Sequence, residues 1–472
     1  MSPLGARAGP CHRWHTKASS WSQLLMRPAV GGIVIVAAAV VVMWGGGVSL
    51  FSSVAKIDPP TGTWAPGHDP CVPAPPPVEI GRLEPSTALR RAELTQVAHG
   101  FVVAGMESAG PGWSTTPGGG PGLGAPRVWA PDGSLLPLPG DSLSIAQTSV
   151  LAPIALDEDR WAIVWGESAP GPGGEGIPAD QAVTHLRVAE WTNGHWTQAR
   201  VLAEGGFVDW NRTGVVRRHR ALGTFAMVTA HETPIVGQAA ALLFGGIEER
   251  LAPIPLPHHP RPLLGSFDVS ESGDIVLIAI ARGPGEADDP FEVLFLTSEN
   301  EGRAWSEPLP VHSVPRDGFF PSNLHVRIDG EGRTHVLWSE YEDRDLHADV
   351  IRHYVRPHGE ARWETSSIQL QAGTRGIVAS WVAGIDRRGR LTLANEILEP
   401  PRTLTIETRR WFDGQWSEPR RPLPDMITSA VFSGQGWDGS WHVGWSGGEI
   451  FAGWDPQTGE EPPPFSVWVL SP

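Results

Sequence analysis

The sequence predicts an all-β chain built as a propeller, with seven repeated units favoured and six as the alternative. Three features carry that expectation: a recurring strand pattern, its turn chemistry, and a Gly- and Pro-rich composition that leaves little room for long helices. The chain has 472 residues, with 56 Gly, 46 Pro and 22 Trp but only two Tyr and two Cys. Gly and Pro break almost every stretch long enough for a helix of several turns. Hydrophobic residues make up 40% of the chain, enough for a sizeable core.

The repeat begins after about residue 80. A hydrophobic strand ending near a Glu or small residue recurs at 101–107, 161–167, 225–232, 275–282, 334–340, 391–396 and 441–446. A second strand follows after a loop of variable length and reaches an aromatic before a turn. That aromatic is Trp129, Trp191, Phe244, Phe295, Tyr354, Trp411 and Trp454. The marks are spaced by 62, 53, 51, 59, 57 and 43 residues, which is the signature of a repeat architecture. Asp132-Gly133, Asn193-Gly194 and Asp413-Gly414 are two-residue hairpin signals, because both central positions need positive φ. Further turns at Ser272-Gly273, Gly330-Glu331-Gly332 and Arg388-Gly389 precede the first strand of the pattern. The fourth repeat then divides into four strands near 261–269, 273–282, 291–298 and 305–311. Four antiparallel strands per unit, arranged radially, remove the exposed edges of a long β chain. Trp196, Trp305, Trp363 and Trp416 are expected to open the fourth strands and pack between units.

The N-terminal region reads differently. Residues 1–28 carry Arg7, Arg13, Lys17 and Arg27 and no acid, while the net charge of −16 leaves −20 for the remainder. Residues 29–51 are uncharged and long enough to span a bilayer as a helix, which needs ~20 residues. Basic flanks stay inside, so the acidic bulk is expected outside the cytoplasm, in a periplasm or at a cell surface. Ser53-Val54-Ala55 keeps a cleaved signal peptide as the alternative, which would release the same body as a secreted protein. Residues 52–79 contain eight Pro between 59 and 77 and read as a semi-rigid spacer. The repeat body is then 80–472. Its acidity argues against nucleic-acid partners, and two cysteines build neither a disulfide scaffold nor a Cys-type zinc site.

Ser298-Glu299-Asn300-Glu301-Gly302-Arg303-Ala304-Trp305 resembles the Asp box, S-x-D-x-G-x-T-W, of sialidases and other BNR-repeat propellers. Ser, Gly and Trp are kept; Asn stands for Asp and Ala for Thr. Shorter forms recur at Asn193-Gly194-His195-Trp196 and Asp413-Gly414-Gln415-Trp416. The resemblance implies a hairpin between third and fourth strands, on the face away from the family's active site, and a non-catalytic or divergent member. Sialidases have six blades. They use a Tyr nucleophile polarised by Glu, an Asp near the leaving group and three Arg on the substrate carboxylate. Here Tyr341 follows Glu340, Tyr354 occupies a packing slot, and Asp317 lies in an inter-unit loop. Glu340, Tyr341 and Asp317 are therefore the catalytic candidates.

Loops joining the second and third strands share a face with the inter-unit loops, and they vary most in length. Two charged sets belong to that face: Glu107, Glu167, Glu232, Glu340 and Glu396 at strand ends, and Arg212, Arg261, Arg316 and Arg375 between units. Arginine suits bidentate capture of a carboxylate or sulfate, and paired carboxylates suit acid–base work on a glycan. A ring of Glu–Arg pairs that neutralise one another between units fits the same residues. No cofactor is expected. Asp343, Asp345 and Asp349 form an acidic loop for which Ca²⁺ is the candidate ion, although Arg344 interrupts it and the spacing fits no calcium loop. His258-His259 lacks a third zinc ligand. The expected role is a membrane-anchored module binding a glycan or protein, with a divergent sialidase-like glycosidase acting on an anionic glycan as the alternative.

Overall fold

The computed structural model describes residues 77–83, 87–109, 125–139, 148–168, 182–208, 216–219, 223–229, 240–246, 251–254, 262–270, 272–282, 290–299, 301–314, 322–340, 350–369, 377–386, 388–399, 403–421, 426–449 and 466–471. All regular elements among them are strands. The predicted membrane helix, 29–51, lies outside these residues. No helix among them is long and apolar enough to cross a membrane.

A short strand, β1 (Val78–Arg82), comes first. Unit 1 follows as β2 (Thr87–Val97), β3 (Gly100–Ala109) and β4 (Ala125–Trp129). Unit 2 is β5 (Thr148–Ala155), β6 (Trp161–Ser168) and β7 (Ala182–Thr192), with a fourth strand in two pieces, β8 (His195–Trp196) and β9 (Arg200–Val208). Unit 3 contains β10 (Val216–His219), β11 (Gly223–Thr229), β12 (Ala240–Gly245) and β13 (Ala252–Ile254). Unit 4 contains β14 (Pro262–Val269), β15 (Ile275–Arg282), β16 (Phe291–Ser298) and β17 (Leu309–Val314). Unit 5 is β18 (Ser322–Ile328), β19 (Thr334–Glu340), β20 (Val350–Arg356) and β21 (Glu364–Gln369). Unit 6 is β22 (Ile377–Ile385), β23 (Leu391–Glu399), β24 (Thr403–Phe412) and β25 (Gln415–Trp416). Unit 7 is β26 (Met426–Gln435), β27 (Trp441–Glu449) and β28 (Ser466–Leu470), and its fourth strand is β1, from the other end of the body.

The units follow one another in a closed circuit. First-strand contacts run β2 to β5, β5 to β10, β14 to β18, β18 to β22, β22 to β26 and back from β26 to β2; unit 3 reaches unit 4 through β11 and β14. At the closure, Leu94 of β2 and Gly434 of β26 form a parallel bridge. Thr95 ties three units together: its Oγ1 donates to the Gln435 carbonyl at 2.6 Å and accepts from the Ala155 amide at 3.2 Å.

The second strands of units 1, 2, 4, 5, 6 and 7 are buried on both faces, so they read as hydrophobic runs rather than alternations. Counting from Phe101, Trp161, Ile275, Thr334, Leu391 and Trp441 as first positions, even positions face the next unit and odd positions the preceding one. Val102 and Ala104 thus pack with Trp161, Ile163 and Trp165. In the same way Val276 and Ile278 pack with Val336 and Trp338, and Ala394 packs with Trp441, Val443 and Trp445. The fifth position holds Trp165, Trp338 and Trp445, all fully buried.

Unit 6 differs from units 2, 5 and 7. Its fifth position is Asn395, and the tryptophan has moved across the pair to Trp381, where units 2 and 7 have Leu151 and Val431. The swap keeps the volume but leaves the Asn395 amide buried with no partner for Nδ2 or Oδ1. A buried amide without partners costs about 1–3 kcal/mol. Asn395→Leu is therefore expected to stabilise the protein by about that amount, read as a higher urea midpoint at unchanged slope. A loss of stability would mean that the amide is bonded.

The turns follow the predicted chemistry with one exception. Asn193 and Gly194 have φ of 52° and 79°, and Asp413 and Gly414 have 50° and 78°, as a two-residue hairpin needs. At Asp132-Gly133 only Gly133 has positive φ (81°). The Asp132 carboxylate instead accepts from the Ser134 amide and hydroxyl, and a wider turn closes on the Trp129–Leu135 bridge. Two further expectations shift. Trp305 lies four residues before β17, in an irregular stretch, 305–308, that follows the turn at 301–304. The seventh aromatic mark, Trp454, lies outside the described residues, and the third strand of unit 7 is Ser466–Leu470, carrying Trp468.

Candidate functional site

Antiparallel order gives every unit two ends. Turns between first and second strands are two to five residues long and share one end. Loops between second and third strands share the other, and run from 3 residues after Glu399 to 16 after Glu449. Of the sequence-predicted site residues, Glu107, Glu167, Glu340 and Glu396 stand in the described strands, towards this loop end. Arg212, Arg261, Arg316, Arg375, Glu232, Asp317, Tyr341, Asp343, Asp345 and Asp349 lie outside the described residues.

Glu107, Glu167 and Glu340 occupy the seventh position of their second strands. Glu396 occupies the sixth, counted from Leu391 at the start of β23. A one-residue offset places Glu396 on the opposite face of its sheet. Glu107 is 5% exposed and forms an ion pair with Arg127 on the adjacent strand of its own unit. Glu396 is 2% exposed, between Ser380 and Ile406 in the sheet. Tyr354 packs: its ring stacks on Trp338 at 4.9 Å, and its hydroxyl is 3.1 Å from His312 Nδ1. The Asp-box Ser298 has a structural task as well, accepting the Gly302 amide at 2.8 Å.

The turn end holds a cavity of about 1840 Å³, lined by turns of units 2, 4, 5, 6 and 7. Its wall is acidic, with Asp157, Asp268, Asp329, Asp386 and Asp438 beside Arg160 and Arg327. Two turns share one device. The Asp329 carboxylate accepts from the amides of Glu331 and Arg333 and from the Arg333 guanidinium at 2.7 Å. Asp386 repeats this with the amides of Arg388 and Arg390 and the Arg390 side chain. The Gly330 amide then donates to the Gly389 carbonyl, joining the two turns. Burial pushes the Asp329 carboxyl up, but hydrogen bonds and charge from His335 and Arg333 outweigh it, and the group sits below the usual carboxylate range. These acids hold turns together. Among the described residues no group of three His, Cys, Asp or Glu is placed to hold a metal.

Sequence reasoning passed over this end. The signal was present in Asp-x-x-Gly-Arg at 329–333 and 386–390. It also passed over a buried chain crossing unit 5: Asp329 Oδ2 to His335 Nε2 at 3.0 Å, His335 Nδ1 to His353 Nε2 at 3.0 Å, and His353 Nδ1 to Ser366 Oγ at 3.2 Å.

No family model matches the chain, and no curated protein matches it. Solved structures do. A polysaccharide lyase described as an ulvan lyase is 9% identical, with a TM-score of 0.50, over 84% of this chain and 96% of that one. A lectin of Aleuria aurantia is 11% identical over 69% of this chain and 96% of that one, at a TM-score of 0.39. A Hadza microbial sialidase is 12% identical over 77% of this chain and 66% of that one, at 0.35. At these identities the likeness is one of fold: an all-β, propeller-like arrangement of repeated sheets.

Proposed function

We propose that the protein is a seven-bladed β-propeller, anchored by residues 29–51 outside the cytoplasm, that binds an acidic glycan at its loop end. The observation that carries this reading is the contrast between the two ends. Inter-unit hydrogen bonds and turns of two to five residues make one end a fixed scaffold, while loops of 3 to 16 residues vary at the other. Variable loops on a rigid frame are where binding sites concentrate. Arg316 and Arg375, in consecutive inter-unit loops, supply the planar donors that carboxylates and sulfates require. Likeness in fold to an ulvan lyase adds support for a carbohydrate ligand.

Glycosidase action needs two carboxyl groups ~5–9.5 Å apart, one of them free to hold a proton at neutral pH. Glu107 is committed to Arg127, which favours binding over catalysis at that position. The test is a glycan array probed with the full-length protein and with Arg316→Ala and Arg375→Ala. Binding to carboxylated or sulfated glycans is expected, weakened about tenfold to a hundredfold by either substitution, as for loss of a charge-assisted hydrogen bond. No retention of any glycan sinks the reading; product release from a retained glycan replaces it with the enzymatic one.

A further inference from the structure

The seam between units 5 and 6 sets a buried polar group beside an apolar cluster of Leu337, Ile351, Trp381 and Leu393. Here unit 5 contributes His335 and His353, both fully buried, with the buried Arg327 and the Asp329 carboxylate. Three hydrogen bonds cross to unit 6: Asn323 Nδ2 to the Trp381 carbonyl at 2.7 Å, Arg327 Nε to the Ala383 carbonyl at 2.9 Å, and the Gly330 amide to the Gly389 carbonyl. From unit 6, Trp411 and Trp416 meet the His353 ring edge-on at 4.6 and 5.1 Å.

We propose that this seam is an acid-sensitive latch, closed while His335 and His353 each carry one proton and loosened when the chain of four groups is made to take up more. The proton count follows from the geometry. With one proton per ring, Ser366 Oγ–H donates to His353 Nδ1, His353 Nε2–H to His335 Nδ1, and His335 Nε2–H to Asp329. Every site is used once and all bonds point one way. A first added proton makes His335 an imidazolium beside Asp329, and His353 must reverse its tautomer so that Nδ1–H donates to Ser366. A second would charge His353 against two indole rings and another cation. That charge has no acceptor in the seam.

The surrounding charges do not offset it. Arg333 pairs with both Asp329 and Glu331. Arg327 Nη2 lies 3.3 Å from His325 Nδ1, adding positive charge on the unit 5 side. From unit 6, Glu407 is the facing acid, and it is taken by Arg421 at 3.1 Å with Arg409 at 3.8 Å. Burial lowers both histidines, His353 strongly, and the neighbouring His335 lowers it further. A depressed folded-state value means that the contribution to stability is complete above the unfolded value of 6.5 and is lost as pH falls below it. Asp329, also lowered, acts only below its ordinary 3.8, so the two windows are separate.

The experiment is urea unfolding of the full-length protein between pH 7.5 and 5, with His353→Gln and His335→Gln. Glutamine keeps one donor and one acceptor but does not titrate. The wild-type unfolding constant is expected to rise by up to about tenfold per pH unit for each histidine, and each variant to remove its share. Hydrogen exchange, corrected for intrinsic rates, is expected to show opening of β22 at pH 5.5 while β6 stays protected. Equal pH slopes in wild type and both variants overturn the proposal. If a variant does not fold, histidine NMR of the wild type decides: either ring titrating at or above 6.5 in the folded protein overturns it.

Discussion

Replacing Gly434 by alanine is expected to cost about 3 kcal/mol or more, at or beyond the top of the range for overpacking. A Cβ at this position would lie 1.5 Å from the Leu94 carbonyl oxygen, 2.5 Å from its carbon and 3.1 Å from its nitrogen. Overpacking against side chains costs about 1–3 kcal/mol because rotamers can shift. Here the obstacle is backbone, and it belongs to the parallel bridge that joins the last unit to the first. Relief requires the two first strands to separate, which would also break the Thr95–Gln435 bond one residue away. Gly194→Ala separates this clash from ordinary glycine strain. That position has φ of 79° but nothing within 4 Å of a built Cβ. Its cost is the left-handed penalty alone, about 1–2 kcal/mol. Urea unfolding of the two variants side by side checks the difference. Equal costs would mean that the closure yields easily and that the circuit is not held at Leu94.

How far the sequence disclosed this arrangement differs from level to level. The second strands at 275–282 and 334–340 and the third strand at 291–298 coincide with the structure, because hydrophobic runs bounded by Gly turns are local signals. The closing strand was not legible. Val78 and Gly81 stand next to a Pro-rich stretch, and their partners Val469 and Val467 are at the far end of the chain. Nothing local marks so distant a pairing. The offset of Glu396 was hidden for another reason. Both faces of β23 are buried, so polar and apolar residues do not alternate and a one-residue slip leaves no trace. The histidine chain needed the register too: His335 lies opposite Val355 and His353 opposite Leu337, so the two rings meet only as diagonal neighbours on one face.

Shortening the chain from its N-terminal side is expected to have a threshold. A protein beginning at residue 74 should fold; one beginning at residue 84 should not. The difference includes β1, which pairs with β28 and covers the edge of unit 7. Ile80 and Leu83 are 7% and 5% exposed, in one cluster with Trp129, Val467 and Val469. Two such side chains contribute about 3–6 kcal/mol by burial. Trp129 of unit 1 lies against Gly81, where a Cβ would fall 2.4 Å from the indole, so β1 also bridges the seam that closes the circuit. Ser466 Oγ adds a bond to Glu79 at 2.8 Å. Set against a total stability of about 5–15 kcal/mol, the loss is comparable with the whole. The bared edge of β28 would present unpaired amides and carbonyls beside Val467 and Val469, an invitation to aggregation. Near-ultraviolet circular dichroism and gel filtration check the pair of truncations. A peptide spanning 76–84, added in trans, is expected to restore the tryptophan signal of the shorter chain by taking the place of β1 in the sheet. A shorter chain as stable as the longer one would show that closure rests on the first strands alone.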